Sequence, residues 1–177
     1  MRRSRAILCL KRAMRRSTDY FMALLLLAAL TLAATWLARN TSSVLAGPAY
    51  AIDGDTLAFG PDHVRLLGLD APELDQTCER GGTSVACGKA AQAGLSAMLT
   101  PALRCESSGH DVYGRILAHC STDKGDIGER LVEAGLALNK GCCLAAEVRA
   151  RAARRGIWAG RFEAPADWRR THEARRT

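Results

Sequence analysis

The sequence predicts an α+β fold, a small five-stranded barrel with about three helices packed on it. Three observations point there. Short strand-like segments occur at 49–52, 55–59, 63–69, 102–106 and 114–120, and three other stretches carry helical spacing. The chain has 177 residues, 48% of them hydrophobic, which is enough to bury one good core and too short for two ordinary domains.

The strands are read from alternation and from the turns between them. Asp53-Gly54 separates the first two and Gly60-Pro61-Asp62 the next two, so 49–69 reads as a three-stranded meander. A Gly-rich loop over 75–84 follows. Ala90, Ala91, Gly94, Leu95, Met98 and Leu99 then recur at helical spacing and stop before Pro101. The last two strands flank a polar, glycine-containing loop from Ser107 to Tyr113. Further helices are expected over 126–135, carrying Ile127, Leu131 and Val132, and over 144–155, carrying Leu144, Val148 and Ala152. Five short strands interleaved with helices suit a closed barrel of the OB type, which leaves no exposed sheet edge.

Ahead of this domain, residues 1–46 read as a leader. Arg2, Arg3, Arg5, Lys11, Arg12, Arg15 and Arg16 precede an apolar run over 20–38, broken only by Thr31 and Thr35. The run is longer than an ordinary signal-peptide core and close to the roughly 20 residues that span a bilayer. Val44-Leu45-Ala46 before Gly47 offers a cleavage site, so a cleaved signal peptide and an N-terminal membrane anchor both stand. Met14 opens a repeat of the first four residues and is a second candidate start. Either route exports the domain over 47–170, periplasmic or secreted, with a basic tail over 171–177.

Cysteine usage agrees with export. The exported part holds Cys78, Cys87, Cys105, Cys120, Cys142 and Cys143, an even number. Preferred pairs are Cys78 with Cys87, closing the Gly-rich loop, and Cys105 with Cys120, across a hairpin. The adjacent Cys142 and Cys143 are left over. The spacings lack the paired pattern of a zinc site.

The formal net charge of +7 is leader charge. Residues 1–46 hold eight Lys/Arg and one acid, and the remainder is neutral. Within that remainder, 47–148 is acidic, with 8 basic and 14 acidic residues, while 149–177 is basic, with 9 against 3. An acidic body suits a cation. The basic end either steers a polyanion or is a solvated helix face.

Three clusters carry candidate chemistry: Asp53-Gly54-Asp55-Thr56, Arg65-Leu66-Leu67-Gly68-Leu69-Asp70-Ala71-Pro72-Glu73, and Asp111-Val112-Tyr113-Gly114-Arg115. Asp55 and Asp70 sit at strand ends, where aspartate is disfavoured unless its carboxylate has a ligand. Two such carboxylates, with a backbone carbonyl and waters, meet the needs of calcium; turn and capping roles are the alternative. Arg65 lies inside an apolar strand and requires an anion, either an internal carboxylate or a phosphate held by its planar fork. Glu73 follows Asp70 closely enough for a metal ligand and a proton acceptor to share a pocket. Two arginines, a metal and a spare carboxylate together suit phosphodiester hydrolysis.

In this order and spacing the clusters resemble the thermonuclease, or staphylococcal nuclease-like, family. The similarity continues through Leu131-Val132-Glu133-Ala134-Gly135 and Gly156-Ile157-Trp158 to Pro165 and Trp168-Arg169-Arg170, covering about 49–170. The resemblance implies that Asp55, Asp70 and the Ala71 carbonyl bind calcium, Arg65 and Arg115 grip phosphate, and Glu73 activates water. Tyr113 would lie beside the bound nucleotide. It further implies cutting of DNA and RNA with little sequence preference, leaving 3′-phosphate ends, by a monomer. Two departures stand out: 139–144 carries no base-contacting aromatic, and position 112 is Val where a basic residue is common. A barrel of the same type that binds nucleic acid or protein without catalysis is the alternative function.

Overall fold

The computed structural model describes residues 19–36 and 43–173. These fall into two compact units divided between Thr41 and Ser42. In the first, helix α1 (Asp19–Trp36) is long and apolar enough to cross a membrane, at about 27 Å for its 18 residues. Its two hydroxyls are satisfied within the helix, Thr31 donating to the Ala28 carbonyl and Thr35 to that of Leu32. Such internal pairing is what an apolar surrounding requires. The basic flank over 1–16, including Met14, lies outside the described residues.

The second unit is the barrel. Its strands are β1 (Val44–Ala46), β2 (Tyr50–Ala51), β3 (Thr56–Phe59), β4 (Asp62–Leu66), then β8 (Arg104–His110) and β9 (Ile116–Thr122), in the sheet order β1-β8-β9-β4-β3-β2. The first and last strands of that path are consecutive in sequence, parted only by Gly47, Pro48 and Ala49. They act as two halves of one interrupted strand, and the sheet curls round onto it in the OB manner. Neighbours run antiparallel except β4 and β9, which pair in parallel with Arg65 opposite Leu117. Inside lie Leu57, Val64, Leu66, Ala118 and the bonded Cys105 and Cys120, met from outside the sheet by Leu95, Leu103, Ile127, Leu131 and Val132.

Three helices cover the barrel near the expected positions: α2 (Cys87–Met98), α3 (Ile127–Glu133) and α4 (Leu144–Ala152). The Asp126 carboxylate caps α3 by accepting from the Glu129 amide at 2.7 Å. A short strand β10 (Gly125–Asp126) precedes it on the edge of β9.

Several segments differ from the sequence expectation. The stretch expected as leader and linker forms β1, whose Leu45 packs against the core and whose partner is β8. Its polar and small neighbours hide it; only the pairing partner reveals it. The expected Gly-rich loop is a hairpin, β6 (Cys78–Arg80) and β7 (Thr83–Val85), turning on Gly81 and Gly82. Hydrophobic alternation is absent from its arms. The strand expected over 63–69 breaks at Gly68, whose φ of 76° suits glycine, and resumes as β5 (Leu69–Asp70) paired to β11 (Leu138–Asn139). After a 3₁₀ turn (Gly156–Ala159), helix α5 (Pro165–Glu173) occupies the end of the expected domain and the start of the expected tail. Pro165 opens it, as proline does at a first helical position.

Disulfides join Cys78 to Cys87, Cys105 to Cys120, and Cys142 to Cys143. The second links residues directly opposite in the β8–β9 ladder, where antiparallel side chains come closest. The third, between residues expected to be left over, forms in a tightly folded loop. The Asn139 carboxamide oxygen accepts from the Gly141 and Cys143 amides, and the Gly68 carbonyl accepts from those of Lys140 and Cys142.

Candidate active site

Asp55 enters its position from the turn before β3. The Asp53 carboxylate accepts the Asp55 amide at 2.9 Å, and Gly54 lies against α2, where an added Cβ would come within 2.7 Å of both Ala71 and Ala91. Thr56 pairs with Arg65 across β3 and β4, so the guanidinium of Arg65 emerges beside Asp55. Arg65 Nη1 donates to Asp55 Oδ1 at 2.6 Å, and Nη2 donates to Asp70 Oδ1 at 3.2 Å. One guanidinium thus ties together two carboxylates whose side chains are only 5% and 4% exposed. Thr56 Oγ1 and the Ala71 amide also donate to Asp55. Ala71 therefore meets the site through its N–H.

Asp55 is buried and has Arg65 as its ionic partner, which it shares with Asp70. Burial raises its carboxyl from the ordinary 3.8 to about 6, against the pull of Arg65, with Asp53 adding repulsion. A hard cation would offset that cost of burial. Among the described residues no three His, Cys, Asp or Glu side chains gather as a ready cage. The donor set is instead an oxygen pair, Asp55 and Asp70, with Glu73 nearby. It fits calcium if substrate oxygens and waters complete the coordination.

Glu73 sits on the loop after β5, 31% exposed at its side chain. Its backbone is pinned: the buried Gln76 accepts the Glu73 amide through Oε1, and the Gln76 amide donates to the Glu73 carbonyl at 2.8 Å. Its carboxylate meets a residue that sequence reasoning missed. Arg169, on α5, donates from Nη1 to Glu73 Oε1 at 2.7 Å and from Nη2 to Asp70 Oδ1 and Oδ2 at 3.0 and 3.2 Å. Arg169 was visible only as part of Trp168-Arg169-Arg170, with no pattern marking it as facing inward.

Arg115 stands just before β9. The parallel register that sets Leu117 opposite Arg65 puts Arg115 two residues up the neighbouring strand. Its guanidinium pairs locally, Nε donating to Asp111 Oδ2 at 2.8 Å, while Asp111 Oδ1 accepts the Tyr113 and Arg115 amides. Some desolvation raises the Asp111 carboxyl, and these donors outweigh it, leaving the carboxyl below its ordinary value. Tyr113 projects from this hairpin tip, 83% exposed, with the Arg115 guanidinium 5.7 Å from its ring centre.

Among the described residues the other arginines of the basic C-terminal stretch are mostly engaged at the surface. Arg149 and Arg155 pair with Glu133, Arg151 with Glu147, Arg161 with Glu79, and Arg170 with Asp167. That arrangement agrees with a solvated helix face more than with a track for a polyanion.

Residues 63–160 match the family described as staphylococcal nuclease homologue. The chain is also 37% identical over 121 residues to the succinoglycan biosynthesis protein ExoI of Rhizobium meliloti (strain 1021), the match covering 63% of each protein. Arg65, Asp70, Glu73, Tyr113 and Arg115 lie inside the family match, and Asp55 and Arg169 outside it.

Proposed function

This chain belongs to the staphylococcal nuclease homologue family, and on that premise we propose that it is a calcium-dependent endonuclease hydrolysing DNA or RNA with little sequence preference to 3′-phosphate products. The observation carrying this reading is the convergence of Asp55 and Asp70 on Arg65, with Glu73 joined to Asp70 through Arg169. Asp55 and Asp70 would hold the calcium, which neutralises charge on the phosphate and presents water to it. Arg65 lies between those carboxylates, and its planar fork would take the phosphate bidentately in their place. Arg115 exchanges Asp111 for a second phosphate oxygen. Glu73 Oε2, which Arg169 leaves free of its bond, accepts the proton from the attacking water. Tyr113 offers its exposed ring to a neighbouring base.

The direct test is full-length protein in detergent, incubated with DNA or RNA in calcium or in chelator. Cutting that needs calcium supports the reading. Cutting indifferent to chelator, or no cutting, overturns it. Binding of DNA without cutting would favour the non-catalytic barrel, a reading supported by the absence of aromatics over 139–144. The name of the similar protein ExoI points instead to succinoglycan biosynthesis. Nuclease activity in this chain would then serve, or be replaced by, an envelope role.

We further infer that the domain is exported and keeps α1 as its anchor. The three disulfides support export. Retention is supported by β1: a cut after Ala46 would sever the half-strand that pairs Val44, Leu45 and Ala46 with Glu106, Cys105 and Arg104. Mass spectrometry of the membrane-extracted chain should find residues 44–46 still attached; an N-terminus at Gly47 would refute this.

A further inference from the structure

Among the described residues Arg169 is the one arginine of the C-terminal stretch bonded to the carboxylate cluster. Gln76, fully buried, donates from Nε2 to the Glu163 carbonyl at 2.8 Å while its Oε1 holds the Glu73 amide. One side chain therefore couples the segment leading into α5 to the Glu73 loop. Just upstream, Glu79 and Arg161 exchange backbone hydrogen bonds at 2.8 and 2.9 Å, and their side chains pair at 2.7 Å. Pro165 at the start of α5 is buried, and Trp168 stacks on His172 with ring centres 3.9 Å apart. These contacts hold the N-terminal end of α5 in place, the Trp168–His172 stack lying within the helix itself, and Arg169 follows one turn in.

At that point it spans two functional groups. Nη2 takes both oxygens of Asp70, and Nη1 takes one oxygen of Glu73. Glu73 is partly exposed, its carboxylate on a flexible two-carbon stem; no other side-chain donor among the described residues is bonded to it. Without Arg169 the carboxylate would have its ordinary rotamer freedom, and orientation of a proton acceptor is worth large factors in rate. The same guanidinium adds a positive charge beside Asp70, which must weaken any cation held there.

We propose that Arg169 is a positioning residue for Glu73: it fixes the proton-accepting carboxylate beside Asp70 and does so at the expense of cation affinity. This rests on the nuclease reading above and adds a residue outside the stretch matched by the family.

The test uses full-length wild type, Arg169→Ala and Arg169→Lys in detergent, with circular dichroism to verify folding. Calcium binding is followed by calorimetry and turnover on DNA at saturating calcium. Positioning predicts opposite signs: Arg169→Ala binds calcium roughly fivefold more tightly yet turns over at least about tenfold more slowly, with KM little changed. Arg169→Lys, which keeps the charge without the fork, recovers wild-type calcium affinity and only part of the rate. Tighter calcium with faster turnover would make Arg169 a plug, and weaker calcium with slower turnover would make it mere support; either overturns the proposal, as does an unchanged rate. A wild type that neither binds calcium nor cuts DNA overturns the nuclease reading itself, and is seen before any variant is made.

Discussion

Two of the aspartate–arginine pairs stand in opposite settings. Arg65 meets Asp55 in a cluster assembled from β3, β4, β5 and α5, where both aspartates are buried. Arg115 meets Asp111 four residues away at an exposed hairpin tip. In the first, burial defeats the neighbouring guanidinium and the Asp55 carboxyl rises to about 6; in the second, Arg115 wins and the Asp111 carboxyl falls. The lesson is that an arginine neighbour does not by itself say whether an acid is content. The buried cluster still lacks positive charge, which is the electrostatic condition of a cation site. The exposed pair is balanced and local, the arrangement from which the proposed move of Arg115 to phosphate would start.

That contrast can be broken most severely at its buried pole. Arg65→Ala should abolish turnover by about three orders of magnitude, since one lost transition-state donor alone costs 10²–10³. It should also lower the stability of the chelator-treated protein by about 2 kcal/mol, because buried Asp55 loses its guanidinium partner while Asp70 keeps Arg169. Calcium should restore part of that stability in urea titrations. Glu73→Ala should match the loss of turnover with little loss of stability, its side chain being partly exposed. Near-normal rates in either folded variant would refute the role assigned.

At the exposed pole the effect should be smaller and confined to function. Arg115→Ala should slow cutting by about a hundredfold and leave the melting temperature unchanged, because only a local surface pair is lost. A clear fall in melting temperature would mean the hairpin pair is structural.

The smallest effect is the pH signature of Asp55. Its carboxyl is raised on folding, so the folded state binds that proton more tightly than the unfolded chain. The resulting stabilisation is complete below the ordinary 3.8 and is lost as pH rises through about 6. In chelator, Asp55→Asn should therefore gain stability relative to wild type between about pH 4 and 7. A difference that does not vary with pH, measured by urea unfolding across that range, would sink this account.

Much of the buried pole was legible beforehand. Aspartates where apolar strands begin and end, and an arginine between Val64 and Leu66, each violate a local preference, and such violations mark positions held for another purpose. The hairpin pole was legible because it is local. Arg169 was not, since an arginine on a polar helix violates nothing. β1 escaped for a related reason: its three residues beside a leader look like linker, and only Cys105, more than fifty residues on, identifies Leu45 as a strand residue.

What the sequence determined by itself was therefore the set of local conflicts and periodicities: the meander turns, the core faces of α2 and α3, the acids at strand ends and an even set of cysteines after the apolar run. The face expected for α4, Leu144, Val148 and Ala152, is instead exposed, and Ala146 and Ala150 are buried. Tertiary structure alone decided which charges share a cavity. It set Asp55 and Asp70 on one guanidinium, brought Arg169 to Glu73 across about a hundred residues of chain, and left Arg115 with Asp111. The physical reason is that burial and the distances between charges are properties of the closed barrel, and no residue's identity or spacing encodes how much water its neighbours will exclude.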